Sequence, residues 1–199
     1  KPATKFTNLC SYGIPSLFNS TVSNDEAIAH DKSLDYLKVT SMDDIYCKIK
    51  ELSEQKQLFE MQLGIATQYY LPIIIHSREA FEDIFSVLDS LPTMPKGVFH
   101  CFSGGLADVR EIEKRGFFLG LDGNATYSKQ LKLVIPSIPL SMILLETDAP
   151  YLPPEGHRGT RSEPKYIPLI AKTIAELQGV SVKQVEETTT ANAKQLFSL

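Results

Sequence analysis

The chain has 199 residues, of which 43% are hydrophobic and 22% charged, an ordinary globular balance that excludes disordered, collagen-like and low-complexity classes. Its 24 acidic and 20 basic residues give a formal net charge of −4. That argues against a broad basic surface for nucleic acid, but leaves open contacts made through bound cations.

Residues 1–42 are atypical and carry the least readable pattern. They lack an initiator Met, and the opening KPATKFTNLCSYG has no apolar signal core. Ser16 to Val22 reads as a strand between turn formers. From 43 onward Ile45, Ile49, Leu52, Phe59, Leu63, Ala66 and Tyr70 recur at helical spacing, interrupted by Lys56. This predicts one helix or two abutting helices ending before Leu71-Pro72. Pro72 to His76 is a buried strand, and Glu79 to Leu91 a helix with Phe81, Ile84, Phe85, Leu88 and Leu91 on one face. Gly97 to Ser103 is the next strand, then a helix marked by Leu106, Val109 and Ile112 and closed by Gly116. Phe117 to Leu121 is a strand, Tyr127 to Ile135 a short helix ended by Pro136, and Met142 to Glu146 a strand. Ile167, Ile170, Ala171, Ile174 and Leu177 mark a helix closed by Gly179, and Ser181 with Gln184 caps the last one.

Strands alternate with helices, and the strands are apolar runs rather than alternating patterns. That is the signature of a parallel sheet buried on both faces, open or closed into a barrel. The 1–199 chain reads as a single domain without an interdomain linker. Cys10, Cys47 and Cys101 form no CxxC pair. Neither a disulfide framework nor a cysteine zinc site follows, and a reducing compartment is the simplest setting. No apolar run reaches the ~18 residues of a membrane span. The expectation is a cytoplasmic protein, or a nuclear one in a eukaryote, without a membrane partner.

Polar residues stand out at the ends of these strands. His76 ends one, His100 lies in the next, and Asp148 follows the last, within Glu-Thr-Asp-Ala-Pro. C-terminal strand ends are where parallel α/β folds build their active sites. Imidazole and carboxylate donors converging there suit a divalent ion such as Zn²⁺ or Mn²⁺. A single strand histidine is more often a hydrogen-bonded core residue; two of them plus an aspartate on successive strand ends favour a site. Alternation along a strand turns Cys101 to the face opposite His100. The loop from Asp148 to Arg161 would overhang the site. There Arg158 and Arg161, and Arg78 after His76, suit phosphate, against the plainer reading of solvated surface arginines. No G-x-S-x-G, GxGxxG or P-loop is present, so serine-hydrolase and nucleotide-binding readings have no support.

PIIIHSREA (72–80), FHCFSGG (99–105), LLETDAPYL (144–152) and RGTRSEP (158–164), in this order, resemble the TatD family of metal-dependent deoxyribonucleases. Ala191 to Phe197 fits the family's ending, and the likeness covers about residues 55–199. The resemblance implies a TIM-type βα barrel of the amidohydrolase kind, incomplete or distorted at its N-terminal strands. It implies one or two divalent ions (Zn, Mg or Mn) and hydrolysis of DNA phosphodiesters, often from the 3′ end. His76, His100 and Asp148 match metal ligands of the family, and Asp148 also matches the residue that orients or deprotonates the attacking water. Ser162 stands where the family usually has Asn. The family's opening HxH strand and its Gly-Leu-His-Pro strand have no counterpart in this chain. The family's bridging Glu aligns with Asp31 when Leu34-Asp35-Tyr36 is the anchor, and with His30 when Ala27-Ile28 is. Two other readings stay open: a degenerate binding or structural protein, and another amidohydrolase-type enzyme acting on an ester or amide. The oligomeric state is not legible.

Overall fold

The computed structural model describes residues 7–10 and 42–199, with side chains described from Ser53 onward. The strand expected at 16–22 lies outside the described residues, as do His30 and Asp31. The described elements in chain order are β1 (Thr7–Cys10), α1 (Met42–Gln68), β2 (Ile73–His76), α2 (Phe81–Asp89), β3 (Gly97–His100), α3 (Leu106–Lys114) and β4 (Phe118–Leu121). Then come α4 (Lys129–Val134), β5 (Ile143–Leu145), α5 (Ile167–Gln178) and α6 (Val182–Phe197). Short 3₁₀ turns at Gly123–Thr126, Ile135–Ser137, Leu140–Met142 and Pro164–Tyr166 join them.

The five strands pair in parallel in the order β1-β2-β3-β4-β5. Strand order that never reverses matters. Each right-handed crossover then advances in the same direction, so the crossover helices fall on one face and the sheet curls around the other. Five strands are described where a closed barrel has about eight.

The two faces of the sheet are chemically distinct, as the period of two requires. Ile73, Ile75, Phe99, Leu119, Leu121 and Ile143 point to the helices and are buried with Leu63, Ile84, Leu88, Ile112, Ile170 and Ile174. Each fully buried aliphatic of this set contributes about 1.5–3 kcal/mol of burial free energy. Ile74, Val98, Phe118 and Leu144 point the other way and meet Ala193, Leu196 and Phe197 of α6. Asn192 holds α6 in place. Its buried side-chain amide donates to the carbonyls of Leu140 (3.0 Å) and Ile143 (2.8 Å), at the start of β5.

Local signals explain most boundaries. The Ser181 hydroxyl accepts from Gln184 N–H at the start of α6. Gly116 and Gly179 take the left-handed conformation just past α3 and α5, as helix-ending glycines do. Lys56, the break in the apolar pattern of α1, pairs with Asp83 of α2. Tyr70 departs from the expected buried stripe. It lies beyond the helix end at φ 54° and is 95% exposed. The helix expected from Tyr127 starts at Lys129, because the Ser128 hydroxyl caps it by accepting from Leu131 N–H. Among the described residues no helix is long and apolar enough to cross a membrane.

Candidate metal centre

The site continues the inner face of the sheet by one step toward the C-terminal strand ends. Ile74, Val98, Phe118 and Leu144 belong to the small apolar cluster. Two residues further on the same strands come His76, His100, Gly120 and Glu146, which the period of two places on the same face. The β2–β3 register sets His76 directly beside His100, with ring centroids 5.5 Å apart.

His100 is the hub. Its Nδ1–H donates to Glu146 Oε2 (2.7 Å) and its Nε2–H to Asp148 Oδ1 (3.0 Å). A ring with carboxylates at both nitrogens needs two N–H donors, so it is an imidazolium here. Burial pulls its pKa down, but the hydrogen bonds to Asp148 and Glu146 outweigh it and raise the pKa to about 10. His76 responds in the opposite sense: burial first, then the charge on His100, hold its pKa below the ordinary value. It is therefore the neutral imidazole of the pair, the form that binds metals.

Glu146 owes its position to a glycine. A Cβ on Gly120 would lie 2.6–2.7 Å from three atoms of the Glu146 carboxyl group. The bare glycine lets that carboxylate reach His100 and also accept the Cys101 N–H. Gly120→Ala is expected to swing Glu146 off His100: the clash is with the tip of a side chain and relaxes locally, but the ion-free chain gives up part of the stability that the His100–Glu146 pair contributes at neutral pH. Loss of an outer carboxylate of this kind lowers metal affinity about 10–100-fold. Calorimetric titration with Mn²⁺, beside a thermal melt of the same variant, checks both effects.

Backbone irregularity shapes the rest. β3 stops at His100, three residues before the expected Ser103, because Cys101 turns to φ 51°. The alternation that should carry Cys101 to the opposite face therefore fails. Cys101, Asp122 and Asp148 offer donor atoms all within 4.8 Å of one another. Burial raises the Cys101 thiol pKa far above normal, and burial pushes Asp122 up to about 6. Asp148 itself sits at φ 46°, and Ser162 braces its turn. The buried Ser162 donates its hydroxyl to Thr147 C=O and its N–H to Pro150 C=O, both at 3.0 Å.

Of the residues singled out from sequence, His100 and Asp148 are in direct contact and His76 is their neighbour. The three are not drawn into one cluster as tight as that of Cys101, Asp122 and Asp148. Arg78 is exposed on the loop after β2, close enough for its charge to act on His76. Arg158 is exposed with its guanidinium 4.7 Å from the Tyr127 ring centroid. Arg161 is exposed immediately before the Ser162 brace. Glu146, Gly120 and Asp122 were not among those expectations. The strand-end rule that selected His76 and Asp148 also covers Asp122, the residue after β4.

The donor set fits a divalent ion. His76, His100 and Asp148 supply imidazole nitrogen and carboxylate oxygen, the donor types that borderline divalent ions take, and His100 and Asp148 already stand side by side. Glu146 on Nδ1 leaves Nε2 as the nitrogen to coordinate, the usual carboxylate–histidine arrangement behind a metal.

Residues 34–198 match the family model described as TatD related DNase. The chain is 39% identical over 148 residues to the uncharacterized metal-dependent hydrolase YabD of Bacillus subtilis (strain 168), a match covering 73% of this chain and 58% of that protein. It is 37% identical over 153 residues to the 3′-5′ ssDNA/RNA exonuclease TatD of Cronobacter sakazakii (strain ATCC BAA-894), covering 73% and 58%. The chain thus spans 58% of the length of each of these curated relatives. The crystal structure of YjjV, a TatD homologue from Escherichia coli K12, superposes with a TM-score of 0.69 at 29% identity, covering 82% of this chain and 61% of that one. The parallel sheet described above is accordingly a stretch of wall from a TIM-type βα barrel.

Proposed function

The chain belongs to the TatD-related DNase family, and from that membership we propose that it hydrolyses phosphodiester bonds of single-stranded DNA with the help of bound divalent metal. The observation that carries the reading is His100, held between Glu146 and Asp148 beside a neutral His76 at the C-terminal strand ends.

His76, His100 and Asp148 would hold the ion, and Asp31 is the further ligand proposed from the aligned family Glu. A divalent ion there supplies Lewis acidity toward the phosphoryl oxygens and charge stabilisation at the scissile bond. The chain's own groups do the rest. Glu146 fixes His100 as the Nδ1–H tautomer. Asp148 orients a water toward phosphorus and accepts its proton, work for which a carboxylate within hydrogen-bond reach is suited. Arg78, Arg158 and Arg161 grip flanking phosphates, and the Ser162 brace keeps the last two in register with Asp148. A few exposed arginines are enough for a substrate that is bound briefly, which accords with a net charge of −4.

His100 must release its Nε2 proton before that nitrogen can coordinate. Below pH 10 the proton competes, so ion affinity is expected to rise with pH, by up to tenfold per unit. Calorimetry at pH 7.5 in two buffers of different ionisation enthalpy should report about one proton released per ion. The linkage also sets a stability trend for the ion-free chain. The raised His100 pKa contributes stability fully present below about pH 6.5 and lost as pH rises through about 10.

The direct test is a 5′-labelled single-stranded oligonucleotide incubated with the chain and Mg²⁺ or Mn²⁺. Stepwise shortening from the 3′ end, stopped by EDTA, is the expected result. A folded chain that binds the ion but leaves the oligonucleotide intact would instead support a degenerate binding protein. Cleavage of an ester or amide in place of DNA would point to the wider amidohydrolase class.

A further inference from the structure

Beside His100 lie two donors, Cys101 and Asp122, that the hydrolytic reading does not use. We propose that Cys101, Asp122 and Asp148 form a separate cation site for a borderline-soft divalent ion of the Zn²⁺ type. It shares Asp148 with the His100 site and is otherwise independent of the nuclease reading.

Three observations converge. The first is placement. The left-handed turn at Cys101 ends β3, and its sulfur lies within 4.8 Å of donor oxygens of both aspartates. Two donors on one ion at ~2.0–2.3 Å stand about 3.3–3.8 Å apart in a tetrahedron. A contraction of about an ångström, within the reach of side-chain rotation, would close the site.

The second is an unmet bond. Asp122 is 2% exposed. Its Oδ1 accepts the Asn124 N–H at 2.8 Å, whereas its buried Oδ2 has no hydrogen-bond partner. A buried carboxylate oxygen without a donor is costly. The Cys101 thiol leans on this carboxylate and holds its pKa down against burial, but it makes no well-aligned hydrogen bond to Oδ2.

The third is charge. The cluster itself holds Asp122 and Asp148, Glu146 lies beside it, and His100 is hydrogen-bonded to Glu146 and Asp148 but not to Asp122. An ion between Cys101 and Asp122 would neutralise the surplus. One soft thiolate with two carboxylates is a set that favours Zn²⁺ over Mg²⁺ or Ca²⁺.

Co²⁺ is the probe, because a thiolate ligand gives it a charge-transfer absorption in the near ultraviolet that oxygen and nitrogen ligands do not. The full chain titrated with Co²⁺ is expected to develop this band. Cys101→Ser and Asp122→Asn should each lose the band and about one bound ion per chain, while His76→Ala keeps the band. Far-UV circular dichroism establishes that each variant folds; where one does not, the other decides. Absence of the band in the unsubstituted chain at saturating Co²⁺, or its persistence in folded Cys101→Ser or Asp122→Asn, overturns the proposal. The outcomes separate the two sites. If the band behaves as stated but His76→Ala and His100→Ala leave hydrolysis unchanged, the thiolate site stands and the nuclease assignment of the histidines falls.

Discussion

Asp148→Asn is expected to lower metal-dependent DNA hydrolysis by ~10³-fold, within the usual range for removing a positioned general base. The amide keeps the size of the carboxylate, so the brace from Ser162 to Thr147 and Pro150 has no steric reason to move. What changes is chemical. An amide oxygen cannot take a proton from water, and it is a poorer ligand for a divalent ion. His100 also loses one of the two carboxylates that hold its pKa high, so its proton becomes easier to remove. Ion binding therefore weakens less than turnover does, and kcat should carry most of the loss. Single-turnover cleavage of a labelled oligonucleotide at saturating Mn²⁺ measures this. Activity within tenfold of the unsubstituted chain would remove Asp148 from the chemistry.

Gly123→Ala is expected to be the most damaging small substitution near the site. An added Cβ would collide with the backbone carbonyl oxygen of Leu152 and lie 2.8 Å from Pro154 N and 2.9 Å from Pro153 C. These are main-chain atoms, so no rotamer relieves the contact and the loop must lift. Overpacking of this kind costs about 1–3 kcal/mol. For a domain of this size that lowers the melting midpoint by roughly 2–12 °C. The loop that lifts carries Arg158 and Arg161, so KM for the oligonucleotide should rise as well. Thr126 makes the coupling specific: its hydroxyl donates to Gly123 C=O and accepts the Glu155 N–H, tying the loop to the same turn. An unchanged melting midpoint and KM would show that the loop does not rest on Gly123. The contrast with Gly120→Ala is informative. There the obstacle is the tip of Glu146, which can move aside, so the backbone stays in place and the loss falls on the His100–Glu146 pair rather than on the loop.

Much of the fold was legible because the strands are short apolar runs between strong punctuation. Pro72, Gly97, Gly116 and Gly179 mark boundaries that the structure keeps within a few residues. β1 was not anticipated. Thr7 to Cys10 is four residues with two polar members, and its pairing with β2 is a long-range contact that no local pattern encodes. Strand ends were read too long at Ser103 for a similar reason: the turn at Cys101 is made by a non-glycine residue at positive φ, and sequence gives no warning of it. His76, His100 and Asp148 stand out in the sequence because polar residues are conspicuous at the end of an apolar strand, and the structure places them as neighbours. Glu146 stands two residues from Asp148 without a local signal of its own. Its role depends on the bare surface of Gly120 on the neighbouring strand, a relation between strands rather than within one. Asp122 also meets the strand-end rule, but its burial beside Cys101 depends on the turn at Cys101 and leaves no mark in the local sequence.

The central claim is that His100, set between Glu146 and Asp148, is part of a metal-dependent hydrolytic centre. It is tested most directly by titrating Mn²⁺ into the unsubstituted chain and into His100→Ala, with oligonucleotide hydrolysis followed in the same samples. The account predicts that tight Mn²⁺ binding and hydrolysis disappear together in the variant while its circular dichroism spectrum is retained. Hydrolysis that survives in His100→Ala, or that proceeds undiminished in EDTA, would contradict it.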